Sequence, residues 1–230
     1  MSILIEDESA ACIVACETLK QELLLVMRNL GCTLPVNWIE AGKHSSPDKL
    51  RESVQETLDS LPPGRTVLLL FGFCGNAMVG VKAGTHTLIL PKTADCIPLF
   101  IGSRKERDSF GIDTYFFTEG YLNSQGSITY GASEMMQRYG EKRGLAILKK
   151  MLLNYRNFAV IDTGAYDVAS VRDSVEQFAK HLDIPVKVIP GSLRLIKALL
   201  SGNRPEDSFL TVMPGNSIRF EDSLSAGRAQ

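Results

Sequence analysis

Along most of this 230-residue chain, short apolar runs of strand length alternate with longer segments of helical period, and few folds fit that alternation. Strands are expected at 11–15, 36–40, 66–71, 86–90, 158–161, 185–189 and 208–212. Helices are expected between them at 18–30, 47–61, near Asp95, and at 133–155, 167–181 and 192–201. In the first helix Leu19, Leu23, Val26, Met27 and Leu30 recur at helical spacing, and Gly31 stops the run. Ser46 stands where it would cap the second, with Pro47 in the first helical position and Pro62-Pro63-Gly64 past the end. Strands alternating with helices build a mostly parallel sheet with helices on both faces. The expected fold is α/β and doubly wound, of Rossmann or flavodoxin type, in one domain over 1–230. Residues 103–155 break the rhythm. They are irregular at first, carry Tyr115, Phe116, Phe117, Tyr121 and Tyr130, then end in a long helix, and are expected as an insertion or lid over a cleft.

Composition narrows the function classes. With 44% apolar residues the chain can build a core, so disorder is excluded as a description of the whole. The 25 basic and 26 acidic side chains give a net charge of -1, without the basic excess of a nucleic-acid binder. No apolar run approaches the roughly 20 residues that span a bilayer, and the first residues are acidic where a secretory signal would be basic. A cytoplasmic protein with no nucleic-acid and no membrane partner is expected. Five cysteines without a CxxC pair do not make a disulfide framework, so reduced thiols are expected.

In parallel α/β sheets ligands bind beyond the carboxyl ends of the strands. The first strand runs into Cys16-Glu17, the second into Gly42-Lys43-His44, the third into Cys74-Gly75-Asn76 and the fourth into Asp95-Cys96. Four consecutive strands thus bring a Cys or a His to one edge. Thiolate and imidazole donors suit zinc, so Cys16, His44, Cys74 and Cys96 are the candidate metal ligands. Asp95 and Glu17 stand beside them as candidates to orient ligands or move protons. The opposing reading is that buried cysteines merely pack, which is the expectation for Cys12 and Cys32. His86 and His181 are expected to be structural.

Other readings stay open. Cys74 at a strand-to-helix turn, its thiol activated by the helix N-terminus with His44 as base, would be a metal-free nucleophile of a transferase or hydrolase. The surrounding residues lack a G-x-S-x-G arrangement. Gly75 and Asn76 are candidates for cofactor binding, although Gly72, Gly75 and Gly80 match neither a dinucleotide nor a P-loop spacing, and a tight turn around a crowded site explains them better. Asp162 and Tyr166, after the fifth strand, are candidates to contact a substrate in the same cleft; Asp162-Thr163 as a helix cap is the alternative.

The residues carry a resemblance. Ala15-Cys16-Glu17, His44 with Pro47 and Leu50, the block from Phe71 to Asn76, Leu90-Pro91, Asp95-Cys96-Ile97, the run from Leu99 to Ser103 and Ile161-Asp162-Thr163-Gly164 resemble the family called "domain of unknown function 1638", found in methanogenic archaea and various bacteria. The likeness extends from about Ala11 to Ile218. One departure is Pro91-Lys92, where the family pattern often has Pro-Arg before the Asp-Cys; lysine keeps the charge but not the bidentate fork. The resemblance implies association with corrinoid-dependent methyl-transfer systems. The expectation is a zinc-binding α/β protein, either a methyltransferase-type enzyme or an accessory protein of one-carbon metabolism, acting on a small-molecule substrate, with a corrinoid protein as partner. A non-catalytic module that binds a small molecule or a corrinoid protein is the alternative. The sequence leaves a homo-oligomer open.

Overall fold

The computed structural model describes residues 10–227, and only the backbone of His44, Ser45 and residues 225–227. Strands β1 (Ala11–Cys16), β2 (Val36–Ile39), β3 (Thr66–Leu70) and β4 (Thr87–Pro91) run parallel in the order β2-β1-β3-β4. A second sheet holds β5 (Thr114–Phe117), β6 (Asn157–Asp162) and β7 (Val186–Pro190), parallel and in chain order. The chain then returns to the first sheet, where β8 (Phe209–Val212) pairs antiparallel with β4. The α/β class and the mostly parallel pairing stand as expected.

The helices are α1 (Lys20–Leu30), α2 (Pro47–Ser60), α3 (Ile97–Ile101), α4 (Arg104–Ser109), α5 (Glu119–Leu122), α6 (Ile128–Tyr139), α7 (Glu141–Met151), α8 (Val168–Ala179), α9 (Arg194–Ser201) and α10 (Phe220–Gly227). Short 3-10 turns at Glu17–Leu19 and Ala41–Ser45 succeed β1 and β2. Leu23, Val26 and Met27 of α1 and Leu50, Val54 and Leu58 of α2 turn into the core, each worth roughly 1.5–3 kcal/mol of burial. Pro47 opens α2 as expected, but Ser46 makes no side-chain cap bond.

Two expectations are corrected. One continuous sheet gives way to two, because β8 occupies the edge of β4 where a further parallel strand would have added. The second sheet packs by a face instead. Phe116, Ala159, Ile161 and Ile189 join the main core, while Phe117, Phe158 and Val160 alternate into a second core with Val171, Val175 and Leu148. The expected long helix 133–155 is two helices, parted at Gly140, whose φ of +77° suits glycine alone. Segment 103–155 therefore holds a strand of the second sheet as well as helices.

Beyond the first sheet, the chain leaving β3 passes directly under the chain leaving β4. A Cβ on Gly72 would lie 2.3 Å from the carbonyl carbon and oxygen of Asp95. Gly72→Ala should therefore cost roughly 1–3 kcal/mol or more, since backbone and not a flexible side chain must yield. Gly31→Ala meets no atom within 4 Å and should cost about 1 kcal/mol, for its φ of +63° alone. Urea unfolding of both variants checks the order, and equal losses would contradict it.

Candidate functional site

The chain leaves β1 for β2 on one side and then crosses to β3 on the other. Where the order reverses, the connections diverge and a crevice opens beyond the carboxyl ends of β1 and β3. Cys16 ends β1, Cys74 comes after β3, and Cys96 precedes α3 after β4. The backbone of His44 lies in the 3-10 turn after β2; its side chain falls outside the described residues. The four strands named from the sequence are thus direct neighbours, with their carboxyl ends at one edge.

Backbone contacts between the β3 and β4 exits fix the thiols. The Phe73 amide donates to the Thr93 carbonyl at 2.8 Å and the Cys74 amide to the Ala94 carbonyl at 2.9 Å. Cys74, Gly75 and Asn76 then take three consecutive left-handed conformations, at φ +46°, +67° and +68°. Such a conformation costs about 1–2 kcal/mol for a residue other than glycine. The chain continues from Asn76 through a run of turns and no helix, which corrects the expected strand-to-helix elbow. Cys74 consequently has no helix N-terminus to lower its pKa, and its thiol is pushed up to about 12, first by burial and then by the charges of Cys16 and Asp95.

The three thiols feel one another. Burial, then Cys74, Asp95 and Cys16, push the Cys96 thiol well above the ordinary range. Burial also raises Cys16, whose Sγ lies 3.1 Å from the Thr18 hydroxyl. Against this, backbone amides favour each thiolate: Thr18 for Cys16, Gly72 for Cys74, and its own for Cys96. Among the described residues no group of three or more His, Cys, Asp or Glu is arranged to hold a metal ion.

Cys96 forms part of the wall of a cavity of about 300 Å³ between the two sheets. The first sheet contributes Thr18, Ala41, Asp95, Ile97 and Phe100; the segment 107–126 and Tyr155 close the other side. The aromatics expected over a cleft are there in part: Tyr115, Phe116 and Tyr121 line it, whereas Phe117 is buried in the second core and Tyr130 is exposed. Tyr115 and Tyr121 share a hydrogen bond between hydroxyls, and the Tyr121 oxygen accepts the Ile128 amide at 2.9 Å. Tyr155 meets the Tyr115 ring edge-on at 4.9 Å. Burial raises the Tyr115 and Tyr121 phenols, keeping them protonated. Arg107 lies over Phe116 and 4.0 Å from Asp95.

The other named residues separate from this cavity. Asp95 lines it but spends one oxygen on the Ile97 amide, at 2.9 Å. Glu17 is exposed and outside the lining. Gly75 and Asn76 are exposed beside α2, where Arg51 donates to the Asn76 carbonyl at 3.3 Å. Asp162 is exposed and accepts the Gly164 amide; Tyr166 donates its hydroxyl to the Ile161 carbonyl; neither lines the cavity. Asp167, not Asp162, caps α8. Cys12 packs in the core and Cys32 against it. His86 is structural: Nδ1 accepts the Arg65 amide and Nε2 faces the Leu58 carbonyl, each at 3.2 Å. His181 is exposed. Sequence patterning passes over Glu22, which is fully buried; its place within the apolar stripe of Leu19, Leu23 and Val26 is the available signal.

The strain at Cys74 can be measured. Removing the thiol by Cys74→Gly should leave the protein about 1 kcal/mol more stable than removing it by Cys74→Ala, since both lose the sulfur and only glycine accepts the left-handed backbone freely. Denaturant midpoints in which alanine equals or exceeds glycine would contradict a strained Cys74.

No curated protein and no solved structure matches the chain. A family model does match, over residues 38–200, so that His44, Cys74, Asp95 and Cys96 lie within it while Cys16 and β8 lie outside. That span is more than half of the chain, and the chain belongs to the family described as "Protein of unknown function (DUF1638)".

Proposed function

We propose that the chain is a cytoplasmic zinc-binding protein that receives a small molecule in the cavity between its sheets. Cys16, Cys74 and Cys96 would hold the ion, with His44 as the fourth donor. The carrying observation is that three thiols from three adjacent strands influence one another at the reversal of strand order, each with a backbone amide favouring its thiolate. Thiolates within electrostatic reach of one another repel unless a cation stands among them, and soft donors of this kind select zinc. The reading requires the sulfurs, together with His44, to close around the ion. With all four donors bound the ion would be structural; with one of them off the metal, zinc would supply a Lewis acid able to polarise a substrate or activate a bound thiol.

The chain's own residues would do the rest. Cys96 joins the thiol cluster to the cavity, where Phe100, Phe116 and the three tyrosines offer aromatic surface and exclude water. Arg107 offers a cation to a polar group of the ligand. Placement in corrinoid-linked methyl transfer, with a corrinoid protein as partner, rests on the family resemblance alone.

A non-catalytic binding module is the second reading, and one observation favours it. Asp95 lines the cavity but gives one oxygen to the Ile97 amide and sets the other 4.0 Å from Arg107, and Glu17 is exposed outside the lining, so neither side chain named for proton transfer stands unengaged over the cavity. The metal-free nucleophile has less support, because burial holds Cys74 as the neutral thiol.

Metal analysis of protein purified without a histidine tag tests the reading. Stoichiometric zinc is expected, lost in Cys74→Ser and Cys96→Ser and kept in Cys12→Ser and Cys32→Ser. Metal-free protein of undiminished stability would sink it.

A further inference from the structure

Glu22 is the only acidic side chain among the described residues that is fully buried. It sits in the first turn of α1, yet its side-chain partner belongs to the second sheet: the Thr163 hydroxyl, just past β6, donates to Oε1 at 3.1 Å. Oε2 is buried and has no hydrogen-bond partner. The carboxyl therefore lies at the junction of the two sheets.

The elements around it are close-fitting. Gly120 of α5 is pressed against the 3-10 turn that leads into α1; a Cβ there would stand 2.2 Å from the Thr18 carbonyl oxygen. Thr118, which caps α5, and Tyr121, within it, both line the cavity. Whatever lifts α5 thus moves a cavity wall.

The charges facing Glu22 are of its own sign. Glu119 of α5 acts on it directly, and Tyr166, whose hydroxyl is held by the Ile161 carbonyl, feels Glu22, Asp162 and Glu119 together. Helix α9, packed on α1, carries Arg194 and Lys197, both exposed, and Arg194 is held by Glu106 at 2.6 Å. On α1 itself, Lys20 lies over Trp38. No cation among the described residues forms an ion pair with Glu22.

We propose that Glu22 is a proton-operated latch between the two sheets: uncharged, it lets α5 and the loop after β6 settle on α1; ionised, it drives them off and opens the cavity beside Tyr121. Burial raises the carboxyl from 4.5 to about 7; its own backbone amide and Thr163 oppose the rise and Glu119 adds to it. An acid raised in the closed state holds its proton there more tightly than in the open state. The latch is therefore strongest at low pH, weakens as pH rises from about 4.5 to about 7, and changes little above. Between pH 6 and 8.5 the opening equilibrium should rise about tenfold.

Hydrogen exchange of the whole chain, corrected for the intrinsic pH dependence of exchange, reads this directly over residues 118–127 and 162–168. Wild type should lose about tenfold in protection between pH 6 and 8.5 in those segments, while Glu22→Gln stays level. Unchanged wild-type protection, or the same loss in Glu22→Gln, would overturn the latch. Should Glu22→Gln not fold, Thr163→Val carries the test. It removes the side-chain hydrogen bond that favours the ionised acid, so the transition should move to higher pH, and a transition that stays in place overturns the proposal.

Discussion

The passage of the β3 exit beneath the β4 exit, at Gly72, is the contact on which the candidate site depends. With no side chain between them, the two backbones exchange amide-to-carbonyl bonds at Phe73 and Cys74. Two thiols far apart in sequence thereby come within electrostatic reach, and Cys16 reaches them because β1 lies beside β3. A side chain at position 72 would widen this gap and take Cys74 away from Cys96 before any question of chemistry arose. The geometry is a backbone property first and a cysteine property second.

Around that contact, the second sheet does what a further strand at the edge of β4 would have done in a single-sheet fold. It covers the crevice at the carboxyl ends of the first sheet, but with a face, and a face leaves a gap where its side chains do not interdigitate with those below. The cavity is that gap. Its lining is aromatic because β5 alternates: Phe116 turns toward the first sheet while Phe117 fills the second core. The same alternation in β6 sends Ile161 and Ala159 one way and Val160 and Phe158 the other.

Local rules made the elements legible. Leu19, Leu23 and Val26 marked α1, and strands β1 to β4 were found within a residue or so because buried parallel strands read as unbroken apolar runs. The edge at which Cys16, Cys74 and Cys96 gather came from the alternation of strand and helix alone. The division into two sheets did not, since nothing in the run Thr114–Phe117 tells an irregular aromatic lid from a strand of another sheet. Tyr166 was misplaced for a related reason: its position after β6 was readable, but the turn that directs its hydroxyl to the Ile161 carbonyl was not. Glu22 needed the opposite habit, noticing the one charge inside an otherwise apolar stripe.

Several departures from those local rules fall at one edge of the first sheet, while left-handed Asp183, at φ +57°, stands apart ahead of β7. Left-handed Cys74 and Asn76, the crowded thiols and the buried acid at the sheet junction all lie at the carboxyl ends of strands. Each costs stability: a strained backbone about 1–2 kcal/mol, a buried unpaired carboxyl oxygen about 1–3 kcal/mol. Elsewhere the elements follow local patterns: α1, α3, α6 and α9 end at glycine, and β1 runs fully apolar. A chain shaped by stability alone would spread such costs or shed them through single substitutions. Cys96 of the thiol group and Tyr121 of α5, the helix pressed against the turn that leads to Glu22, wall one aromatic cavity, and the costs carried next to those walls are the physical support for the proposed binding role.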